Sequence, residues 1–264
     1  MLEFIILLLV ALGASALGFK KYVWFISIGY GLAIAAIAIV LLIMFNGRID
    51  GGLILMCILL IIYGGRLAGY LAYRELRVHS YNKKMEGEIK DGKDISLGIK
   101  FAIWGTAALL YVCQTSPVLF NLENGIGTNG GVVVGIILAI IGISLEIVAD
   151  FQKNIAKRDN PDRFVNTGLF RIVRCPNYLG ELFLWTGLFV VGIGAGMNAP
   201  QWIATIGGYA GIVFVMFSGA RRLEIRQDKT YGDDPEYQKY VKTVPIMIPF
   251  VPLYSVKRHK WLVG

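Results

Sequence analysis

The sequence predicts an all-α, polytopic integral membrane protein with seven transmembrane helices, an outside N-terminus and a cytosolic C-terminus. Of its 264 residues, 56% are hydrophobic and 17% are charged, whereas a soluble domain has about 25% charged residues. The apolar residues form long runs, and each run approaches the ~20 residues needed to cross a hydrocarbon core. We therefore expect a single transmembrane domain over residues 1–264.

Seven segments meet this length rule. The first could instead be a signal peptide, but it lacks a basic N-terminal region and a small-residue cleavage site before a polar mature start. We interpret it as the first membrane helix. The predicted spans cover residues 2–18, 22–46, 52–74, 98–120, 130–150, 179–197 and 200–219.

Positive charge lies almost entirely on one side of these spans. When seven spans alternate, all of the 26 lysine and arginine residues except Arg48 and Arg66 reach the same face. Since basic loops stay in the cytoplasm, that face is the cytosolic one. The net charge of +8 needs no nucleic acid, because topology and contact with membrane lipid headgroups account for it. The sequence indicates no required protein partner.

Cysteine and histidine are too sparse to predict a metal site. Cys57 and Cys113 fall inside spans, Cys175 lies in a basic loop, and no spacing suggests a zinc site or a disulfide framework. His79 and His259 are far apart in the chain. The sequence also contains no Rossmann fingerprint after a strand, Walker motif, serine elbow or HExxH motif.

Ionisable groups inside spans are costly and are therefore functional candidates. Tyr63 and Arg66 in span three are three residues apart, so they share a helix face. Gly64, Gly65 and Gly69 would let a neighbouring helix or a ligand approach closely. The alternative is a snorkelling arginine beside an interfacial tyrosine.

Two carboxylates end span five. Glu146 and Asp150 are four residues apart on one helix face that leads into the basic side. They would repel each other unless cations or hydrogen-bond donors meet them. We interpret them as part of a binding site, and the alternative is an ordinary salt-bridged helix end.

The densest polar run beside a span is residues 174–181, with the sequence RCPNYLGE. Pro176 suits the first turn of a helix, and Glu181 then lies about one turn inside span six, where a carboxylate needs a partner. Upstream, residues 151–176 combine turn signals with several cations, so this loop can fold over an anionic ligand. The candidate binding residues of the loop and run are Lys157, Arg158, Arg163, Asn166, Arg171, Arg174, Asn177, Tyr178 and Glu181.

The two remaining polar segments have simpler interpretations. Residues 75–96 alternate opposite charges, which is typical of a solvated loop. In the tail, Pro235 predicts a helix start that Asp233 or Asp234 caps. Pro245, Pro249 and Pro252 then stand among apolar residues, which indicates an extended strip returning to the membrane interface.

Residues 168–181 (GLFRIVRCPNYLGE) and the tail from Gly232 to Tyr240 (GDDPEYQKY) resemble the C-terminal region of the steroid 5-alpha-reductase family, including its bacterial members. The similarity is specific over about residues 146–250. It implies a seven-helix membrane enzyme that binds NADPH on the cytosolic side and reduces the C4–C5 double bond of a 3-oxo-Δ4-steroid or a similar hydrophobic enone. The membrane would be a bacterial inner membrane or, in a eukaryote, the endoplasmic reticulum.

The same resemblance implies roles for individual residues. Asn177 and Glu181 take the positions that contact the nicotinamide end, and Asp150 and Glu146 take the acidic helix-end positions. Tyr63 takes the position of the tyrosine that hydrogen-bonds the steroid ketone, with Arg66 beside it. The family's basic phosphate-facing positions fall near Lys157, Arg158 and Arg163.

The sequence departs from the family in two places. The early Gln-Glu pair that helps polarise the ketone is missing, because Glu3 and Asp50 do not fit it. The late-helix positions at 219–227 are also not cleanly matched. The alternative family is the S-adenosylmethionine-dependent isoprenylcysteine methyltransferases, whose similar motif has a histidine where this chain has Cys175. A transporter or scaffold would be expected to show internal repeats, and none is visible.

Overall fold

The computed structural model describes residues 1–77 and 95–263, apart from the side chains of residues 76 and 77. Within these residues the secondary structure is helical and includes no strand, so the predicted all-α class is confirmed. The predicted charged loop at 75–96 lies mostly outside the described residues. The helices are α1 (Leu2–Ser15), α2 (Ile28–Met44), α3 (Gly51–Arg77), α4 (Leu97–Glu123), α5 (Gly130–Asp159), α6 (Pro176–Ile193), α7 (Ala199–Tyr231) and α8 (Pro235–Thr243).

Six helical segments in the described part of the chain are long and apolar enough to cross a membrane. They match predicted spans one to five and seven. Predicted span six corresponds to α6, which is not among them because Asn177 and Glu181 make its first turns polar. Seven spans and the orientation of the termini therefore stay predictions. The six segments are Leu2–Phe19, Tyr22–Met44, Gly51–Glu75, Leu97–Glu123, Gly130–Asp159 and Ala199–Tyr231.

The chain divides into two compact units. Unit one comprises Met1–Ile136 and Leu188–Tyr209, and unit two comprises Ile137–Gly187 and Ala210–Gly264. The region expected to carry the cofactor, about residues 146–250, lies in unit two except for residues 188–209. Tyr63 and Arg66 lie in unit one.

In unit one, α2 packs against α1, α3 and α4. Glycine allows α2 and α3 to meet closely, because a Cβ added to Gly64 would lie 2.9 Å from the backbone nitrogen of Ala35. A Cβ on Gly31 would likewise lie 2.6 Å from the carbonyl oxygen of Gly64. The predicted close approach of a helix is thus confirmed at Gly64, whereas a Cβ added at Gly65 or Gly69 would meet nothing within 4 Å among the described residues.

In unit two, α5 and α6 meet along a glycine seam. A Cβ on Gly142 would lie 2.8 Å from the nitrogen of Leu184, and a Cβ on Gly180 would lie 2.7 Å from the carbonyl oxygen of Gly142. Small residues let helix backbones approach this closely in membrane proteins. The seam therefore places the polar end of α5 directly beside the first turns of α6.

The tail of unit two is held to the start of α6. The backbone nitrogens of Arg174 and Cys175 donate to the carbonyls of Pro245 and Ile246 at 2.9 and 2.8 Å. Before this point, α8 begins at Pro235 as predicted. Asp234 is its cap, since its side chain accepts from the nitrogen of Glu236 at 2.8 Å.

Candidate cofactor and substrate sites

Two of the predicted polar residues meet across the α5–α6 seam of unit two. Asn177 donates from Nδ2 to Oδ1 of Asp150 at 2.6 Å. Both side chains are half-buried. The hydrogen bond fixes the orientation of the amide, so its carbonyl oxygen and second N–H remain as the groups that a ligand can use.

Two buried carboxylates accompany this pair. Glu146 is 3% exposed and Glu181 is 7% exposed. The Glu146 side chain lies against Gly180, because a Cβ there would be 2.7 Å from its Cγ. Glu181 accepts a hydrogen bond from Nε1 of Trp185 at 2.8 Å, one helical turn further on. Carboxylates in such surroundings are costly unless donors meet them.

Tyr178 connects α6 to α7 within unit two. A Cβ added to Gly219 would lie 2.9 Å from the Tyr178 hydroxyl, so the glycine makes room for the ring. The neighbouring Ser218 is 2% exposed, and its Oγ has no hydrogen-bond partner among the residues described. An orphaned buried hydroxyl costs free energy, and a bound ligand could satisfy it. The sequence offered only a serine among apolar residues as a signal.

Lys157 holds together the loop that follows α5. Its Nζ donates to the carbonyl oxygens of Pro161 and Arg163 at 3.0 and 2.6 Å, and to the Tyr231 hydroxyl at 2.9 Å. The ammonium also lies 5.4 Å from the centroid of the Tyr231 ring. This cation is therefore occupied in shaping the loop.

Three other cations of the loop are exposed. Arg163 forms an ion pair with Glu236, and Arg158 pairs with its neighbour Asp159 on the surface. Asn166 lies half-buried in the same loop. Arg171 is exposed and lines a cavity of about 320 Å³ with the proline-rich tail. These exposed guanidinium groups are suited to grip phosphate oxygens.

Arg174 is buried and internally paired. Its Nη2 lies 3.2 Å from Oε1 of Glu224, and the two side chains are 1% and 4% exposed. The adjacent Cys175 is also buried. Burial raises the pKa of the Cys175 thiol to about 12, although the Arg174 charge partly opposes this shift. At neutral pH the thiol is therefore protonated.

In unit one, Tyr63 is fully buried in a cluster of tyrosines. Its hydroxyl donates to the hydroxyl of Tyr30 at 3.0 Å. The Tyr30 ring lies 5.1 Å from that of Tyr111, whose hydroxyl donates to the Phe25 carbonyl. Sequence reasoning missed Tyr30, although a tyrosine between two glycines within an apolar span was a visible signal. Arg66 is half-buried one turn beyond Tyr63.

Gln114 is a second polar group buried in unit one. It is 3% exposed, and neither its amide nitrogen nor its amide oxygen has a hydrogen-bond partner in the described parts of the chain. In the sequence it is visible only as an amide within predicted span four. Because an unpartnered buried amide is costly, Gln114 is a candidate for contact with a polar group of a ligand.

Comparison with known proteins extends these observations. The sequence profile of the family described as "Protein of unknown function (DUF1295)" matches residues 17–244. Steroid 5-alpha-reductase DET2 of Arabidopsis thaliana is 27% identical over 122 residues, which cover 45% of this chain and 41% of that relative. The chain therefore matches under half of the relative's length. No solved structure matches the chain.

The matched family region includes most of both units and all the candidate residues described above. The comparisons lend no support to the methyltransferase alternative. The resemblance to steroid 5-alpha-reductases seen at residues 168–181 is confirmed by a similar protein of that name. On the match over residues 17–244, this chain belongs to the DUF1295 family.

Proposed function

We propose that this protein is a membrane-embedded, NADPH-dependent oxidoreductase that reduces the C4–C5 double bond of a 3-oxo-Δ4-steroid or a similar hydrophobic enone. The observation that carries the proposal is the Asp150–Asn177 pair beside the buried Glu181. These residues fall where the sequence resembles steroid 5-alpha-reductases. The similarity to a protein named as such a reductase supports the oxidoreductase class.

The donor set of unit two fits a nicotinamide dinucleotide. Its carboxamide both donates and accepts hydrogen bonds, which the oriented Asn177 amide and the Glu181 carboxylate would match. The buried Ser218 hydroxyl would gain a hydrogen-bond partner from the bound cofactor. Bound NADPH would supply the hydride, and the protein's part would be to hold and orient it.

The phosphates would be met by the exposed cations of the loop. Arg158 and Arg171 present their guanidinium groups at the surface. Arg163, which is paired with Glu236, would add a third positive charge beside the phosphates. Lys157 and Arg174 would contribute mainly by holding the loop and the start of α6 in shape. In this proposal Asn166 and Tyr178 also line the cofactor site, and Asp150 and Glu146 fix its acidic end.

For the substrate, we propose that Tyr63 donates a hydrogen bond to the ketone oxygen. Reduction of an enone places negative charge on that oxygen, and a positioned O–H stabilises the charge as it develops. With the ketone bound, the Tyr63 proton would turn from Tyr30 to the ketone, and the Tyr30 hydroxyl would donate to Tyr63 and hold it in position. Arg66 would line the same substrate region.

Ligand titration of the purified protein tests this proposal. NADPH and S-adenosylmethionine are each titrated while tryptophan fluorescence is recorded, and NADPH oxidation is then followed with a 3-oxo-Δ4-steroid as the first substrate. We expect NADPH to bind, and Asn177→Ala and Glu181→Ala to weaken its binding by roughly ten-fold or more, since each removes a hydrogen-bonding group that is at least half shielded from water.

Asn160→Ala is the matched control. Asn160 is exposed in the loop between α5 and α6, so its substitution should leave NADPH binding unchanged. Saturable binding of S-adenosylmethionine without binding of NADPH would overturn the reaction class. Unaltered NADPH affinity in Asn177→Ala and Glu181→Ala would overturn the assignment of the cofactor site.

A further inference from the structure

The last described residues, 256–263, fold back along α7 in unit two and are called here the C-terminal segment. The backbone nitrogens of Val256 and Lys257 donate to Oε2 of Glu224 at 2.9 and 3.0 Å. Arg221 donates from Nε to the Lys257 carbonyl at 3.1 Å and from Nη1 to the Leu262 carbonyl at 3.3 Å. These bonds hold the segment against one side of the helix.

The segment runs towards the apolar part of α7. Its start is bonded to Glu224, whereas near its end the Trp261 ring stacks on Phe214, with ring centroids 6.1 Å apart. Phe214 precedes Glu224 by ten residues, which is ~15 Å along a helix axis. The Trp261 ring therefore lies beside the apolar part of α7, on the Ala199 side of Glu224.

Phe214 lies on the apolar part of α7, towards its cationic end. It belongs to a candidate membrane span that starts at Ala199, and ~20 residues of helix cross the apolar core. The first cations on α7, Arg221 and Arg222, follow Phe214 by two turns. Phe214 and Val215 are 36% and 37% exposed, so this side of the span faces outward beside Trp261.

The composition of the segment suits the boundary between acyl chains and headgroups. Trp261 is 66% exposed and Val263 is 68% exposed, while Leu262 is buried against the protein. Arg258 and Lys260 are exposed beside them, and Lys257 is paired with Asp228. Tryptophan favours the membrane interface, and adjacent cations attract anionic headgroups.

We propose that the C-terminal segment is an interfacial anchor that inserts Trp261 at the edge of the bilayer and binds anionic phospholipid headgroups through Arg258 and Lys260. The partner is a lipid surface, because the segment continues the outward-facing side of a membrane span and carries exposed positive charge. This proposal does not depend on the proposed reductase activity.

Lipid quenching of tryptophan fluorescence tests the anchor. The full chain is reconstituted into vesicles of phosphatidylcholine, with or without phosphatidylglycerol, in which one lipid carries bromine near the carbonyl end of its acyl chains. With excitation selective for tryptophan, subtracting the emission of Trp261→Phe from that of wild type isolates the Trp261 component. Trp261→Tyr provides the same difference independently.

We expect bromine to quench most of the Trp261 component, and brominated phosphatidylglycerol to quench it more than an equal fraction of brominated phosphatidylcholine. The double variant Arg258→Gln with Lys260→Gln should remove this headgroup preference. We expect each lost cation to lower the binding of phosphatidylglycerol relative to phosphatidylcholine by roughly five-fold. Lys239→Gln with Lys242→Gln on α8 removes the same charge from exposed positions and should leave the preference intact.

An unquenched Trp261 component would overturn the anchor. If that emission varied instead with the protein-to-lipid ratio, a second copy of the chain would be the occupant of this surface. Quenching that is equal for both headgroups, or that is unchanged by the Arg258 and Lys260 substitutions, would overturn the assignment of headgroup binding.

Discussion

Arg174 and Glu224 form a buried ion pair that joins three parts of unit two. Nη2 of Arg174 lies 3.2 Å from Oε1 of Glu224, and the guanidinium also donates to the Tyr254 carbonyl. The second carboxylate oxygen accepts from the backbone of Val256 and Lys257. The start of α6, the polar end of α7 and the tail are therefore held by one hydrogen-bonded pair.

Breaking this pair should strongly destabilise the protein. Arg174→Met leaves Glu224 as an uncompensated buried charge, and we expect the free energy of unfolding to fall by about 3–5 kcal/mol. Unfolding in detergent, followed by circular dichroism, measures the change. Arg158→Met is the control, because its pair with Asp159 is exposed and should contribute less than about 1 kcal/mol. Equal stability of the two variants would contradict the prediction.

Tyr63→Phe should abolish most turnover while leaving the fold intact. The change removes only the hydroxyl, so we expect kcat to fall about 10²–10³-fold, as when a positioned oxyanion donor is lost. Tyr30→Phe should produce a smaller fall in kcat, because the Tyr63 hydroxyl loses its partner. NADPH oxidation assays measure both.

Tyr111→Phe is the matched control, since this tyrosine belongs to the same cluster but donates to the Phe25 carbonyl. It should turn over substrate at close to the wild-type rate. Normal kcat in Tyr63→Phe would remove this residue from the mechanism.

Gly180→Ala should disturb both stability and the proposed cofactor site. The added methyl would lie 2.7 Å from the Gly142 carbonyl oxygen and from Cγ of Glu146, so the α5–α6 seam must open. We expect a loss of about 1–3 kcal/mol and weaker NADPH binding, because Asp150 and Asn177 would separate. Unfolding and ligand titration measure the two effects.

Gly105→Ala in α4 is the control for helix propensity. A Cβ at Gly105 meets nothing within 4 Å, so the substitution should be neutral or stabilise by up to about 1 kcal/mol. If Gly180→Ala behaved like Gly105→Ala, close packing at the seam would not be what positions the polar pair.

Cys175 should resist alkylation in the folded protein. Burial raises its thiol pKa from 9.0 to about 12, and the thiolate is the reactive form. Because folding favours the protonated thiol, its contribution to stability is complete below pH 9 and is lost as the pH rises towards 12. Peptide mapping after iodoacetamide treatment at pH 8 should find Cys175 unmodified, and modified once the chain is unfolded. Rapid labelling of the folded protein would contradict this.

Helix positions were predictable because their signals are local. Runs of apolar residues located the membrane helices, although α5 and α7 continue to Asp159 and Tyr231, beyond the predicted span ends at residues 150 and 219. Pro176 and Pro235 marked the starts of α6 and α8 correctly. The family resemblance assigned Asp150 and Asn177 to one cofactor site but did not predict the hydrogen bond between them. Their separation in the sequence gives no indication of contact. The contact forms because the glycine seam lets α5 and α6 approach closely.

The partners of individual charges could not be read from the chain. Sequence reasoning grouped Arg174 with the loop cations as a cofactor contact, yet Glu224, fifty residues away, meets it in the interior. Lys157 similarly turns inward to carbonyl groups that only the folded loop brings together. A long charged side chain can reach several hydrogen-bond partners, and helix packing determines which of these partners lie close enough.

The sequence by itself determined the helical class, the membrane setting and the family, because hydropathy and motif residues act over short stretches of chain. Tertiary structure alone decided the Tyr30–Tyr63 hydrogen bond, the burial of Arg174 with Glu224, and the stacking of Trp261 on Phe214. Each of these contacts joins residues that are distant in the chain. Their energies depend on burial and distance, which arise only when helices pack.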